Sequence, residues 1–260
     1  DDLQKIVLFI GKEKGKLKGK KVLNFIRHGE RKGFHSRSTC ASRNLWYRLE
    51  YREPWPILHP MTHNDRQIVI SNKYGIQVDH RLFEIKPKKK RDNLPVLCFL
   101  LSTVSMFFKE FAGRTNLGEG ALNTDGIDIE KLPVPKTFPK EVVGSLRKLA
   151  RKYEDAPIKS IFDDLDASSP DEVALDKISP ARRDLDKIIM GDILGLSEDE
   201  QLEVYRAVVD LVGSRIKKAK SVDKRGKSKD GIDVELLTRT VKEKLGDKLL
   251  GHFYSEKIHN

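Results

Sequence analysis

The sequence predicts an α+β protein, a mixed or antiparallel sheet domain with one buried helix followed by an all-helical C-terminal region. Three observations carry this. Short runs rich in β-branched residues, separated by turn residues, occupy the first half; the nearly unbroken apolar run Val96 to Phe108 follows them; and the second half carries serine–glutamate helix-start signals. With 260 residues, 38% of them hydrophobic, the chain is long enough for one large domain or two small ones.

Taken in order, residues 5–21, KIVLFIGKEKGKLKGKK, begin like a strand entering a phosphate loop. The spacing fails, because Leu17 and Lys21 stand where a phosphate loop needs a Ser or Thr for magnesium. The run is expected to be a flexible basic loop. Trp46 to Arg52 alternates polar and apolar positions with the period of a half-buried strand. QIVIS (67–71), GIQVD (75–79) and LFEIK (82–86) should form a meander turning at 72–75 and 79–81. Asn93 is expected to cap a helix that begins at Leu94 and runs to about Ala112, buried against the sheet.

FAGRTNLGEGALNTDGIDIEKLPVP (111–135) leaves that helix, its glycines letting the chain turn closely and Arg114 tying the turn or meeting a phosphate. Pro133, Pro135 and Pro139 mark a boundary between a domain at 1–138 and a helical region at 139–260. Within the latter, Ser169 with Glu172 and Ser197 with Glu200 have the spacing of capping boxes, so two helices should begin there. The second carries Leu202, Tyr205, Val209, Val212, Ile216 and Ala219 as an apolar stripe, then a basic stretch, Arg215 to Lys229, expected to be a solvated terminus.

The net charge of +11 is uneven: residues 1–140 hold 27 Lys+Arg against 15 Asp+Glu, whereas the remainder holds 23 against 24. A concentrated positive field favours a polyanion such as nucleic acid, since each neutralised phosphate releases condensed counterions. A membrane partner is not expected: the longest apolar run falls short of a bilayer span, and no amphipathic basic helix that would insert is evident. The opening DDLQ lacks the regions of a signal peptide and suggests a piece of a longer polypeptide. Cys40 and Cys98 give neither a disulfide framework nor a zinc site, which fits a reducing cytoplasm.

Asp65 followed by Glu84-Ile85-Lys86 has the form of a magnesium-dependent nuclease site, but Glu84 and Lys86 on an alternating strand also describe a solvent face. His59 and His63 in HPMTH lack further metal ligands and are expected to be surface loop residues. No serine or cysteine nucleophile sits in a recognisable elbow. Arginines and aromatics interleave from Arg37 to Tyr74, with Trp46 and Trp55 expected to serve packing and the loops to serve binding.

Three segments carry a resemblance: HGERKGFHSRSTCASRNLWYRLEYREPWPIL, DRQIVISNKYGIQVDHRLFEIKP and the apolar helix with its glycine-rich sequel. In this order they resemble the C-terminal target-recognition region, the TaqI-like specificity domain, of adenine-specific DNA methyltransferases from prokaryotic restriction-modification systems. The likeness spans about residues 26–135, and 186–220 is similar to the helical tail of such enzymes.

The resemblance implies double-stranded DNA as a partner, a methyltransferase catalytic domain or subunit as a second, and a nucleoid-associated place in a prokaryotic cytoplasm. It also implies S-adenosylmethionine for the catalytic domain. The family's glycine-rich cofactor site and its Asn/Asp-Pro-Pro-aromatic motif are absent from this sequence, so the chain is expected to be a non-catalytic specificity part that holds no cofactor or metal. The residues expected at DNA are Lys12, Lys14, Lys16, Lys18, Lys20, Lys21, Arg37, Ser38, Arg43, Asn64, Arg66, Asn72, Lys73, Lys88, Lys89, Lys90, Arg91 and Arg114. A magnesium-dependent endonuclease and a structural interaction module of a methyltransferase complex are the alternatives.

Overall fold

The computed structural model describes residues 8–49, 51–115 and 120–225. It is an α+β structure of small antiparallel sheets and many helices, as expected. The chain forms two compact units, Asp1–Pro54 and Trp55–Asn260.

In the first unit, α1 (Lys21–Arg31) was not anticipated by the sequence reading. Its Leu23 and Ile26 recur at helical spacing and are buried with Ile10 and Leu17, while Val22, Trp46 and Tyr47 pack against them. The six lysines from Lys12 to Lys21 obscure the start of this period. The helix is amphipathic and basic, and its apolar side is consumed by the unit's own core. Gly29 lets Trp46 lie against the helix: a Cβ there would stand 2.9 Å from Trp46 Cζ2 and 3.4 Å from Phe34 Cδ2.

Among the described residues, the strand expected at Trp46–Arg52 is reduced to one bridge, Leu49 with Ile10, because Trp46 and Tyr47 turn into this small core. A short helix, α2 (Ser38–Ala41), follows a 3₁₀ turn at Phe34–Ser36. The basic run holds a second 3₁₀ turn, Lys14–Leu17, that buries Leu17 and exposes its lysines.

The second unit is built on β1 (Ile57–Pro60), the central strand of a three-stranded antiparallel sheet, flanked by β3 (Ile70–Ser71) and β4 (Leu82–Ile85). Pro54, Pro56 and Pro60 hid this strand from the sequence reading, since proline argues against a central strand. Strand β2 (Thr62–His63) pairs instead with β5 (Leu122–Asn123). β4 (Leu82–Ile85) lies where LFEIK was expected, with Leu58 opposite Glu84.

QIVIS supplies only β3 (Ile70–Ser71), because Gln67 turns inward to donate to the carbonyl of Leu100. GIQVD is not a strand. Asn72 receives the amide of Ile76 on Oδ1 at 2.8 Å and donates to the Ile76 carbonyl at 2.9 Å, and Gly75 takes φ 62°, so the chain turns there.

The long apolar helix is two helices, α3 (Asn93–Leu101) and α4 (Thr103–Ala112), bent by 71° at Ser102. Asn93 is already inside α3 and does not cap it. Asp186 fixes the bend from a distant part of the chain, accepting from Thr103 N at 2.9 Å and Thr103 Oγ1 at 2.5 Å. Burial pushes the Asp186 carboxyl up, opposed by Arg182 and by the Thr103 bonds. Among the described residues no single helix is long and apolar enough to cross a membrane; the apolar residues of the bent pair belong to the core.

After α5 (Gly126–Glu130) and α6 (Lys140–Lys152), the chain continues through α7 (Ile161–Leu165), α8 (Pro180–Asp186), a π turn at Lys187–Ile193 and α9 (Glu198–Arg225). The expected start at Ser169 is a single 3₁₀ turn, Pro170–Glu172, in which Glu172 also accepts Ser168 N at 2.7 Å. The box at Ser197 is complete: Ser197 N donates to Glu200 at 2.8 Å and Glu200 N to Ser197 Oγ at 3.3 Å. Tyr205, Val209 and Val212 of the stripe are fully buried, and α9 packs on α4. Residues on both sides of 138, among them Phe99, Leu146, Leu165 and Val208, share one core.

Candidate nucleic-acid interface

The residues expected at DNA divide between the two units. In the first, Lys12, Lys14, Lys16, Lys18, Lys20 and Lys21 are all exposed, and Lys14 is ion-paired to Glu30. Arg37 lies over the ring of Phe34, 4.5 Å from its centroid, and Ser38 opens α2 beside it. Arg43 is exposed just past α2. The 3₁₀ turn carrying Phe34 packs on α1.

In the second unit Asn64 and Arg66 are exposed after β2, while Lys88, Lys89, Lys90 and Arg91 are exposed before α3. Lys73 and Tyr74 project from the turn after β3, with Lys73 paired to Glu154 at 2.5 Å. Asn72 serves that turn: its amide donates to the carbonyls of Trp55 at 3.0 Å and of Ile76, so both amide hydrogens are engaged. Arg114 ties the glycine-rich segment together, pairing with Asp125 at 3.3 Å and Asp128 at 3.5 Å and exchanging backbone bonds with Asn123.

Beneath these turns lies a buried polar centre that sequence reasoning missed. His59 and His63 are buried, not surface loop residues, because β1 and β2 carry them inward. The Nε2 of His59 faces Lys109 Nζ of α4 at 3.4 Å. Burial in apolar surroundings holds Lys109 down at about 7, with Glu110 opposing and Arg182 and Arg215 reinforcing the shift. Burial likewise takes His59 to about 3 and His63 to about 2, so both rings are neutral.

Arg215 of α9, expected in a solvated terminus, is buried beside this centre. It forms a bidentate pair with Glu110, both bonds 2.9 Å, and donates to the carbonyls of Asn64, at 2.8 Å, and Gly120. The same helix approaches Gly120 so closely that a Cβ would stand 3.2 Å from Ile216 Cα, and Gly120 has φ 71°. A Cβ on Gly113 would fall 2.6 Å from Leu122 Cγ. The spaces beside these two glycines are filled by the protein's own atoms. Residues 116–119 of the segment, and 226–229 of the basic stretch, lie outside the described residues.

Asp65 accepts Ile161 N on its backbone carbonyl, and Glu84 accepts Trp55 N at 3.3 Å. Among the described residues no group of three or more His, Cys, Asp or Glu side chains is placed to hold a metal ion.

Comparison with known proteins places the chain in a type II methyltransferase family. The family model described as "Type II methyltransferase M.Eco57I, C-terminal domain" matches residues 2–168, more than half of the chain, and the chain belongs to that family. No curated protein and no solved structure matches it. The match ends before α8 and α9, although both share the core of the second unit.

Proposed function

We propose that this chain recognises a specific sequence in duplex DNA for an adenine-specific methyltransferase whose catalytic domain, with its S-adenosylmethionine site, lies outside it. The observation that carries the reading is the concentration of positive charge before residue 141, 27 Lys+Arg against 15 Asp+Glu, in a chain that belongs to a DNA-modifying family. The exposed lysines at Lys12–Lys21 and Lys88–Arg91 grip phosphates, and exposed side chains at Arg37, Ser38, Arg43, Asn64 and Arg66 meet bases or backbone. The 1–138 segment faces DNA, and the helical region from 139 onward docks on the catalytic domain. The chain itself performs no chemistry; it positions the target adenine for extrusion by its partner. Its place of action is the prokaryotic nucleoid.

Titration with duplex DNA at two salt concentrations tests the reading. Binding should weaken steeply with salt, and a combined Lys88→Ala and Lys89→Ala variant should flatten the slope by about 2, roughly one per phosphate contact, without altering sequence preference. Affinity indifferent to salt would sink the proposal.

A further inference from the structure

We infer that the solvent face of α1 is the element that reads base edges in the major groove, an assignment that rests on the DNA-binding reading above. Residues 1–54 hold 14 Lys+Arg against six Asp+Glu, so the unit around α1 is basic as a whole. On the helix the charge is also sorted by side. Leu23, Ile26 and Gly29 point into the core, and Glu30, the helix's sole carboxylate, is held behind it by Lys14 and by Trp46 Nε1 at 3.2 Å. The opposite arc presents Lys21, Asn24, Phe25, Arg27, His28 and Arg31, all exposed and none acidic.

Three features separate this arc from an ordinary solvated face. Cations in the last turn favour the helix dipole, which accounts for His28 and Arg31 but not for Lys21, Asn24 or Arg27. Phe25 stands 63% exposed among the cations, where solubility alone would disfavour an aromatic but a thymine methyl or sugar would meet it well. Trp46 packed on Gly29 braces the helix from behind, so the arc is presented from a fixed backbone.

The dimensions agree. A helix about 10–12 Å across enters a groove about 12 Å wide. Asn24, Arg27 and Arg31 fall within about 60° of one another, spaced roughly 4.5 and 6 Å along the axis, one to two base-pair steps apart. Asparagine pairs two-fold with adenine and arginine with guanine, so this set can carry sequence information rather than charge alone. Lys21 at the start of the arc is placed for a flanking phosphate.

The experiment incubates the 260-residue chain with a pool of short duplexes randomised at their centre and sequences the retained fraction. Wild type should enrich one motif. Asn24→Ala, Arg27→Ala and Arg31→Ala should each relax one position by about 10-fold, with circular dichroism and Trp46 fluorescence unchanged because all three side chains are exposed. If the motif survives all three substitutions, α1 is not the reader and the DNA-binding reading stands. Retention of duplex without any enriched motif overturns α1 as a reader and leaves a phosphate-gripping chain. A wild type that retains no duplex removes both.

Discussion

Replacing Arg215 with methionine is the sharpest test of how the second unit is held together. The Arg215 and Glu110 side chains are 5% and 3% exposed, so truncating the guanidinium strands a carboxylate in the core and leaves the carbonyls of Asn64 and Gly120 without their charged donor. Breaking a buried pair from one side costs about 3–5 kcal/mol, because the remaining charge keeps its desolvation penalty and loses its partner. Against a typical total of about 5–15 kcal/mol this is a large fraction. For a unit of this size it should lower Tm by roughly 10 °C or more. Urea unfolding followed by far-ultraviolet circular dichroism reads the loss directly. A paired Arg215→Met and Glu110→Met variant should recover most of it, since two apolar side chains of similar length replace both charges. A single-variant cost below about 1 kcal/mol, or a double variant as unstable as Arg215→Met alone, would refute the reasoning.

Two further outcomes follow from the two cores. Lys109 titrates near 7 when folded and near 10.4 when unfolded, so the unfolded chain binds more protons between these values and stability rises with pH. Burial raises the Cys98 thiol to about 12, which acts in the opposite direction at higher pH, and the buried neutral His59 and His63 add to the rise below about pH 7.5, so the clean window is about pH 7.5 to 8.5. Over it, stability should increase by about 1 kcal/mol, and Lys109→Met should remove most of the slope in urea titrations at each pH. Gly29→Ala forces Trp46 out of its seat and should cost about 1–3 kcal/mol in the first unit, with a shift in indole emission; unchanged emission and stability would contradict the packing of α1.

What the sequence disclosed was whatever could be decided locally. The start of α9 rests on Ser197 and Glu200, three residues apart, and its stripe on a period of 3.6, and both are present as expected. The bend at Ser102 was hidden because it is set by Asp186, more than eighty residues away, which captures Thr103. His59, His63 and Arg215 are ionisable types whose burial needs partners from several elements, so no local pattern marks them as internal.

Exposure was legible for the loop cations, as at Lys88–Arg91. It was not legible where the fold claims the side chain, as at Asn72, whose amide is consumed by its own turn. α1 escaped notice because its apolar side supplies only Val22, Leu23 and Ile26, while Gly29, which completes that side, carries no hydrophobic signature until Trp46 is seen resting on it.

The grip of Arg215 on Gly120 and Asn64 also bears on how this region can be exchanged between relatives. Family membership is recognisable up to residue 168, yet the helix that clamps the glycine-rich segment comes later. A crossover placed at the end of the recognisable family region would transplant a domain with an unmatched Glu110 at its heart. Exchange of this region between relatives, whether by recombination in a genome or by design, would therefore have to carry α9 along, because the unit that folds together is longer than the stretch by which the family is known.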